Sequence, residues 1–185
     1  MYRSARFSEN GSSTALITSK GKETIVKDLH IKSEIDLRLI SNNETGGIKE
    51  SVISSSLNYF SVPMTFDGDV FIENEAELKH LFDIISDESN YPCVFHCSIG
   101  TDRTGFVAMI LNSLLDVTKE EIYRDYLFSN FAEIGGSRNL NDITKYETYL
   151  SLYEGFSLRE QTIDYLSSIG VENTKIQQFL SIMSE

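Results

Sequence analysis

Basic residues are scarce in this chain. Sixteen Lys and Arg stand against 28 Asp and Glu in 185 residues, a formal charge of −12, and a surface of that sign repels both nucleic-acid backbones and anionic lipid. Neither nucleic acid nor a membrane surface is expected as a partner. Long apolar runs are missing too: the longest covers residues 106–111, far short of the ~20 residues of a membrane span. The opening MYRSARFSEN lacks the apolar stretch of a secretory signal. Cysteine is nearly absent, with only Cys93 and Cys97. If both lie on one strand, four residues separate them by ~13 Å, beyond disulfide reach. Reduced thiols and a cytoplasmic setting are expected. Pro63 and Pro92 are the two prolines, each beside an apparent strand, and no repeat, low-complexity tract or linker interrupts the chain. One domain over residues 1–185 is therefore expected. A chain of this length can bury roughly 70% of its unfolded surface without a metal or disulfide.

Helix start signals recur: Asn74 with Glu77, Thr118 with Glu121 and Ser157 with Glu160 have the spacing of a capping box. Leu78, Leu81, Phe82 and Ile85, and again Ile176, Phe179, Leu180 and Met183, place one apolar stripe on each of two outer helices. Phe106, Val107, Met109, Ile110, Leu111, Leu114 and Leu115 instead wrap most of a circumference. That segment predicts a central helix enclosed by protein. Residues 15–18, 31–37, 59–62 and 93–96 read as strands, the last apolar on both parities as an interior strand requires. Strands and helices alternate over the first 115 residues, and only helices follow. The expectation is an α/β fold: a small, largely parallel central sheet flanked by helices, with a helical C-terminal half.

Between the interior strand and the enclosed helix lies HCSIGTDRTG, with Cys97 and Arg103 separated by five residues. A loop of that length entering a helix turns its amides inward, and amides and helix dipole together hold a phosphate dianion. The amides of Ser98, Ile99, Gly100, Thr101, Asp102 and Arg103 are the expected phosphate ligands. Gly100 permits a backbone path that a side chain would obstruct. Arg103 offers a planar fork for two phosphate oxygens. Cys97 lies at the base in the same field, where a thiol ionises below its free value of ~8.5. A thiolate beneath phosphorus is a nucleophile, so the loop predicts attack by Cys97, a phosphocysteine, and hydrolysis of that intermediate. No metal or cofactor is needed. The hydroxyl of Thr104 is placed to assist the sulfur as it leaves, and His96 orders the loop.

At these residues the chain resembles the cysteine-dependent protein tyrosine and dual-specificity phosphatases, in particular the atypical branch whose loop reads H-C-x-x-G-K-D-R-T-G. Tyr2-Arg3-Ser4, Ile35-Asp36-Leu37-Arg38, Val62-Pro63, Asp125-Tyr126-Leu127 with Ser129-Asn130, and the stretch from Tyr165-Leu166 to Gly170-Val171 look like landmarks of the same family, in order along nearly the whole chain. Thr101 stands where that branch has Lys. In related enzymes a basic residue there favours phosphoinositide headgroups, so its absence argues against a lipid substrate. The resemblance implies a monomer acting on phosphorylated proteins or small phosphate monoesters, phosphotyrosine foremost. Dual-specificity or phosphoinositide hydrolysis and a non-catalytic phosphate-binding module are the alternatives. Enzymes of this resemblance also include exported effectors.

The leaving group needs a proton, and two carboxylates compete to supply it. The resemblance implies Asp102, inside the loop; Asp67, thirty residues before Cys97 in the turn that also holds Asp69, is similar to the movable acid of the wider superfamily. Other residues invite plainer readings. Cys93, His96 and Cys97 lack the fourth ligand of a zinc site, and Cys93 reads as core. Asp36 and Arg38 are expected to brace the site as a strand-end ion pair. Tyr146, Tyr149 and Tyr153 are expected to pack on the domain, the alternative being a lid over a phosphotyrosine ring. His30 and His80 carry no partner pattern. The polar run 41–47 is expected to be a surface loop that could border the cleft.

Overall fold

The computed structural model describes residues 1–8, 16–41, 44, 48–131 and 137–184. Four strands, β1 (Tyr2–Ser4), β2 (Ser33–Asp36), β3 (Asn58–Ser61) and β4 (Cys93–His96), form one sheet in the order β1-β4-β2-β3, every pair parallel. Ser4, His96, Asp36 and Ser61 stand in register at its carboxyl edge. In open parallel sheets that edge is where ligands bind. β4 is interior, and its parities serve two cores: Cys93, Phe95 and Cys97 join the large cluster, and Val94 packs with Phe7, Ile31, Ile53 and Leu57.

One expected strand is not there. Residues 16–18 form no strand, and Ala15 lies outside the described residues. The Thr18 hydroxyl instead accepts the Gly21 amide at 3.0 Å, capping α1 (Ser19–Glu23). The fourth strand is β1, whose three residues are too few to show alternation and which forms by pairing on β4.

After α2 (Val70–Glu73) and α3 (Glu75–Ile85) come β4 and then helices alone: α4 (Asp102–Leu114), α5 (Lys119–Phe128), α6 (Leu140–Leu150), α7 (Leu158–Ser168) and α8 (Asn173–Met183). Every residue of α4 from Arg103 to Leu114 is buried except Asn112, as the all-round apolar pattern predicts. Thr118 caps α5, and Ser157 with Glu160 closes a full capping box on α7. Asn74 does not cap α3. Its amide accepts from the Thr65 N–H (2.8 Å) and donates to the carbonyls of Thr65 (2.9 Å) and Val70 (2.8 Å), stitching together the turn that carries Asp67. The Tyr165 hydroxyl of α7 donates to the Phe71 carbonyl at 2.8 Å, fixing α2 against the helical half. Among the described residues no helix is long and apolar enough to cross a membrane.

Candidate active site

Five residues, 97–101, link the end of β4 to the start of α4. Gly100 makes the turn at φ +76°, and a Cβ there would sit 2.8 Å from the Ala5 nitrogen and the Ser4 oxygen, so only glycine fits. Two arginines draw the loop's carbonyls outward: Arg6 Nη1 donates to Ser98 O at 2.7 Å, and Arg3 Nη2 to Gly100 O at 3.0 Å. These two carbonyls are thereby taken by arginine side chains. Among the described residues none of the backbone N–H groups of 98–101 finds a protein acceptor, and Thr101, the N-cap of α4, makes no side-chain capping bond. Cys97 lies at the base, 1% exposed.

Arg103 enters the loop from the first turn of α4, 4% exposed. Glu44, from the polar run read as a surface loop with bordering the cleft as the alternative, grips it: Oε2 accepts from Nη1 at 2.6 Å and Oε1 from Nη2 at 2.8 Å. Ser98 Oγ (3.0 Å) and the Leu39 amide (2.7 Å) donate to the same carboxylate. Burial works against charge on both partners, yet the hydrogen bonds between them lower the Glu44 pKa and raise that of Arg103. One edge of the guanidinium is thereby fixed, and Nε is left without a partner. The Phe66 ring lies 5.2 Å from the guanidinium carbon. Arg103 Nε, Thr101 Oγ1, Thr104 Oγ1 and Arg6 Nε are the buried side-chain polar atoms without a hydrogen bond among the described residues. All four belong to this loop, its helix, or the arginine bonded to it. An unmet buried polar atom costs about 1–3 kcal/mol, so a cluster of them marks a place shaped to receive a polar ligand.

Beneath the loop runs a buried charged layer. His96 Nε2 lies 2.9 Å from Glu34 Oε1, which is itself hydrogen-bonded to the Ser51 hydroxyl, and His96 Nδ1 lies 3.4 Å from Cys97 O. Asp36 and Arg38 form the expected ion pair, with Nη2 donating at 2.6 Å and Nε at 2.9 Å, and the Tyr59 hydroxyl donates to Asp36 at 2.8 Å. Burial alone would raise the Asp36 pKa; the Arg38 hydrogen bonds overcome it and hold the carboxyl below its usual range. Cys93, His96 and Cys97 are not gathered as ligands. Among the described residues the group spaced for a metal is Glu34, Asp36 and His96, each already engaged as described. Burial pushes the Cys93 thiol up to about 11, an inert core position.

The two candidate acids differ in setting. Asp102 opens α4, and both its oxygens are taken by Arg138, at 2.9 Å from Nε and 2.7 Å from Nη2. Arg103, its neighbour in sequence, pairs with Glu44. Asn130 clamps Arg138 through its backbone, accepting its N–H and donating to its carbonyl, both at 2.8 Å. Asp102 also lines a cleft of about 380 Å³ walled by Phe66, Val70, Phe71, Tyr146 and Tyr149, with Lys145 as its basic residue. Asp67 is exposed on the turn beside Phe66 and does not line that cleft. Asp69 caps α2 by accepting the Phe71 amide at 3.0 Å. The tyrosines pack as expected, Tyr149 stacking on Phe71 at 4.0 Å and Tyr153 meeting Tyr165 edge-on at 5.2 Å. Tyr146 and Tyr149 are also wall rather than lid. Sequence reasoning did not find Arg6, Glu44 or Arg138 as site residues, since each reaches the loop from a distant segment.

Residues 1–184 match the profile of the Tyrosine phosphatase family. The chain belongs to that family. It is 32% identical over 66 residues to a tyrosine-protein phosphatase of Nostoc commune, a stretch that covers 34% of this chain and 22% of the Nostoc protein. The chain thus matches under a quarter of that relative's length. Its fold is similar to the core catalytic domain of the PP-IP phosphatase SIW14 from S. cerevisiae, solved with citrate, at a TM-score of 0.53 and 17% identity over 80% of this chain and 78% of the other. P. aeruginosa TpbA superposes at a TM-score of 0.47 with 12% identity over 80% of each chain.

Proposed function

We propose that this tyrosine phosphatase family member hydrolyses phosphate monoesters, phosphotyrosine foremost, through a phosphocysteine on Cys97. The observation that carries the reading is the set of unpartnered buried donors gathered around one loop whose carbonyls are held outward. Such a loop accepts a tetrahedral dianion, with the amides of 98–103 and Arg103 Nε as its ligands. Glu44 holds the other edge of Arg103 and so fixes the direction of the fork. Cys97 Sγ attacks phosphorus, and the ester oxygen leaves with a proton from Asp102. One Asp102 oxygen must quit the Arg138 fork to carry that proton, while Arg138 keeps the carboxyl aimed into the cleft. Water then attacks the phosphocysteine, its proton returning to Asp102, and sulfur departs as thiolate with help from the Thr104 hydroxyl.

The cleft beside the loop favours an aromatic ester. Phe66, Tyr146 and Tyr149 offer ring faces to a phenyl group, and Lys145, the basic lining residue, is accompanied by Asp69 and Asp102. An inositol or phosphoinositide headgroup calls for more cations than that. The test is turnover of p-nitrophenyl phosphate with and without chelator, followed by matched phosphotyrosine, phosphoserine and phosphoinositide substrates. Chelator-resistant turnover with preference for phosphotyrosine is expected. Absence of turnover would leave a phosphate-binding module, and loss on chelation would contradict the cysteine route.

A further inference from the structure

Five arginines surround the loop, and four have carboxylates: Arg3 pairs with Asp125, Arg38 with Asp36, Arg103 with Glu44 and Arg138 with Asp102. Arg6 has no carboxylate partner among the described residues. Its place follows from the sheet. β1 pairs with β4 so that Ser4 lies opposite His96, and two residues on Arg6 runs beside Ser98, its own amide 3.5 Å from Ser98 O. The side chain turns onto the same carbonyl at 2.7 Å, and the residue is 8% exposed with Nε unpartnered. Among the described residues a single carbonyl accompanies this largely buried guanidinium, a costly arrangement unless an anion completes it.

Resting on the phosphatase reading, we propose that Arg6 is a positioning residue and the net counter-charge of the cradle: it holds the Ser98 carbonyl outward and balances the dianion that Arg103, already neutralised by Glu44, chiefly orients. Burial and then the nearby Arg38 charge lower the Arg6 pKa, and negative charge in the loop opposes them. Attraction between opposite charges is mutual, so a cation at position 6 favours an anion bound in the loop. Neutral glutamine at this place could still donate to Ser98 O, and would balance nothing.

The proposal separates charge from scaffolding, and so does its test. In the Cys97→Ser chain, sulfate and perchlorate binding are measured by calorimetry; both ions are tetrahedral and differ in charge. Arg6→Gln is expected to weaken sulfate binding by ~10-fold or more and perchlorate binding by clearly less. Arg6→Lys is expected to stay within about threefold of its parent for sulfate, since it keeps the charge. Equal losses for both anions, equal losses in both variants, or no loss in Arg6→Gln would each overturn the proposal. Thermal melting checks that the variants fold; should Arg6→Gln fail to, a tenfold sulfate loss in Arg6→Lys alone overturns it. If the Cys97→Ser chain with Arg6 intact binds neither anion, the phosphate-site reading itself falls and takes the role of Arg6 with it.

Discussion

Cys97 and Asp67 stand thirty residues apart in sequence and in opposite surroundings. Cys97 follows a strand paired on both sides, 1% exposed, above a layer of buried charge and inside a loop tied by Arg3 and Arg6. Asp67 is exposed on a turn whose order comes from Asn74, and its side chain has no hydrogen-bond partner among the described residues. The floor of the site is tied at many points, to Arg3, Arg6 and the buried pairs beneath it. The outer wall rests on a few bonds and on aromatic contacts. On the proposed reading, the chemistry that must be placed to a fraction of an ångström would sit where the structure is most constrained, and substrate selection where adjustment is cheapest.

The largest way to break that contrast is to move the proton donor from the floor to the exposed turn. On a substrate with a poor leaving group, Asp102→Asn is expected to lower kcat by ~10²–10⁴, with Asp67→Asn nearly unchanged. The opposite ranking would assign the acid to the exposed turn. Next is the clamp on Arg103. Glu44→Gln keeps size and one hydrogen bond but removes the charge that fixes the fork, and a fall in kcat/KM of roughly 10–100-fold is expected.

The same substitution has a signature in stability. The folded Glu44 pKa is depressed, so its bridge contributes above the unfolded glutamate value of ~4.3 and is lost as pH falls through the lower folded value. Urea midpoints between pH 7 and pH 3 should show the gap between the native chain and Glu44→Gln shrinking toward acid. A gap that stays constant would mean that charge does not hold the pair. The smallest effect belongs to the wall: Tyr149→Ala is expected to raise KM for a phosphotyrosine peptide by roughly threefold to tenfold and to spare small aliphatic phosphates. Equal changes in both would remove the aromatic wall from substrate selection.

The floor was legible in the sequence because its parts are contiguous. Cys97, Gly100 and Arg103 sit within seven residues, and the all-round apolar run behind them announces α4 as enclosed. The two-parity apolar strand announces β4 in the same way. What surrounds the loop was not legible, because Arg6, Glu44 and Arg138 arrive through sheet register and side-chain pairing over 36 to 92 residues, separations that no local period records. Asn74 shows how a correct pattern can mislead. It has the spacing of a helix cap, yet its amide has stronger use tying Thr65 to Val70. β1 was missed as a strand because it is short and owes its form to pairing.

Trapping the reaction tests the central claim most directly. Rapid acid quench of the Asp102→Asn chain with a good leaving group, followed by mass spectrometry of the peptide containing Cys97, is expected to show the added mass of one phosphoryl group on that cysteine, and none when Cys97→Ser is treated alike. A phosphoryl group found on another residue, or undiminished turnover by Cys97→Ser, would contradict the account.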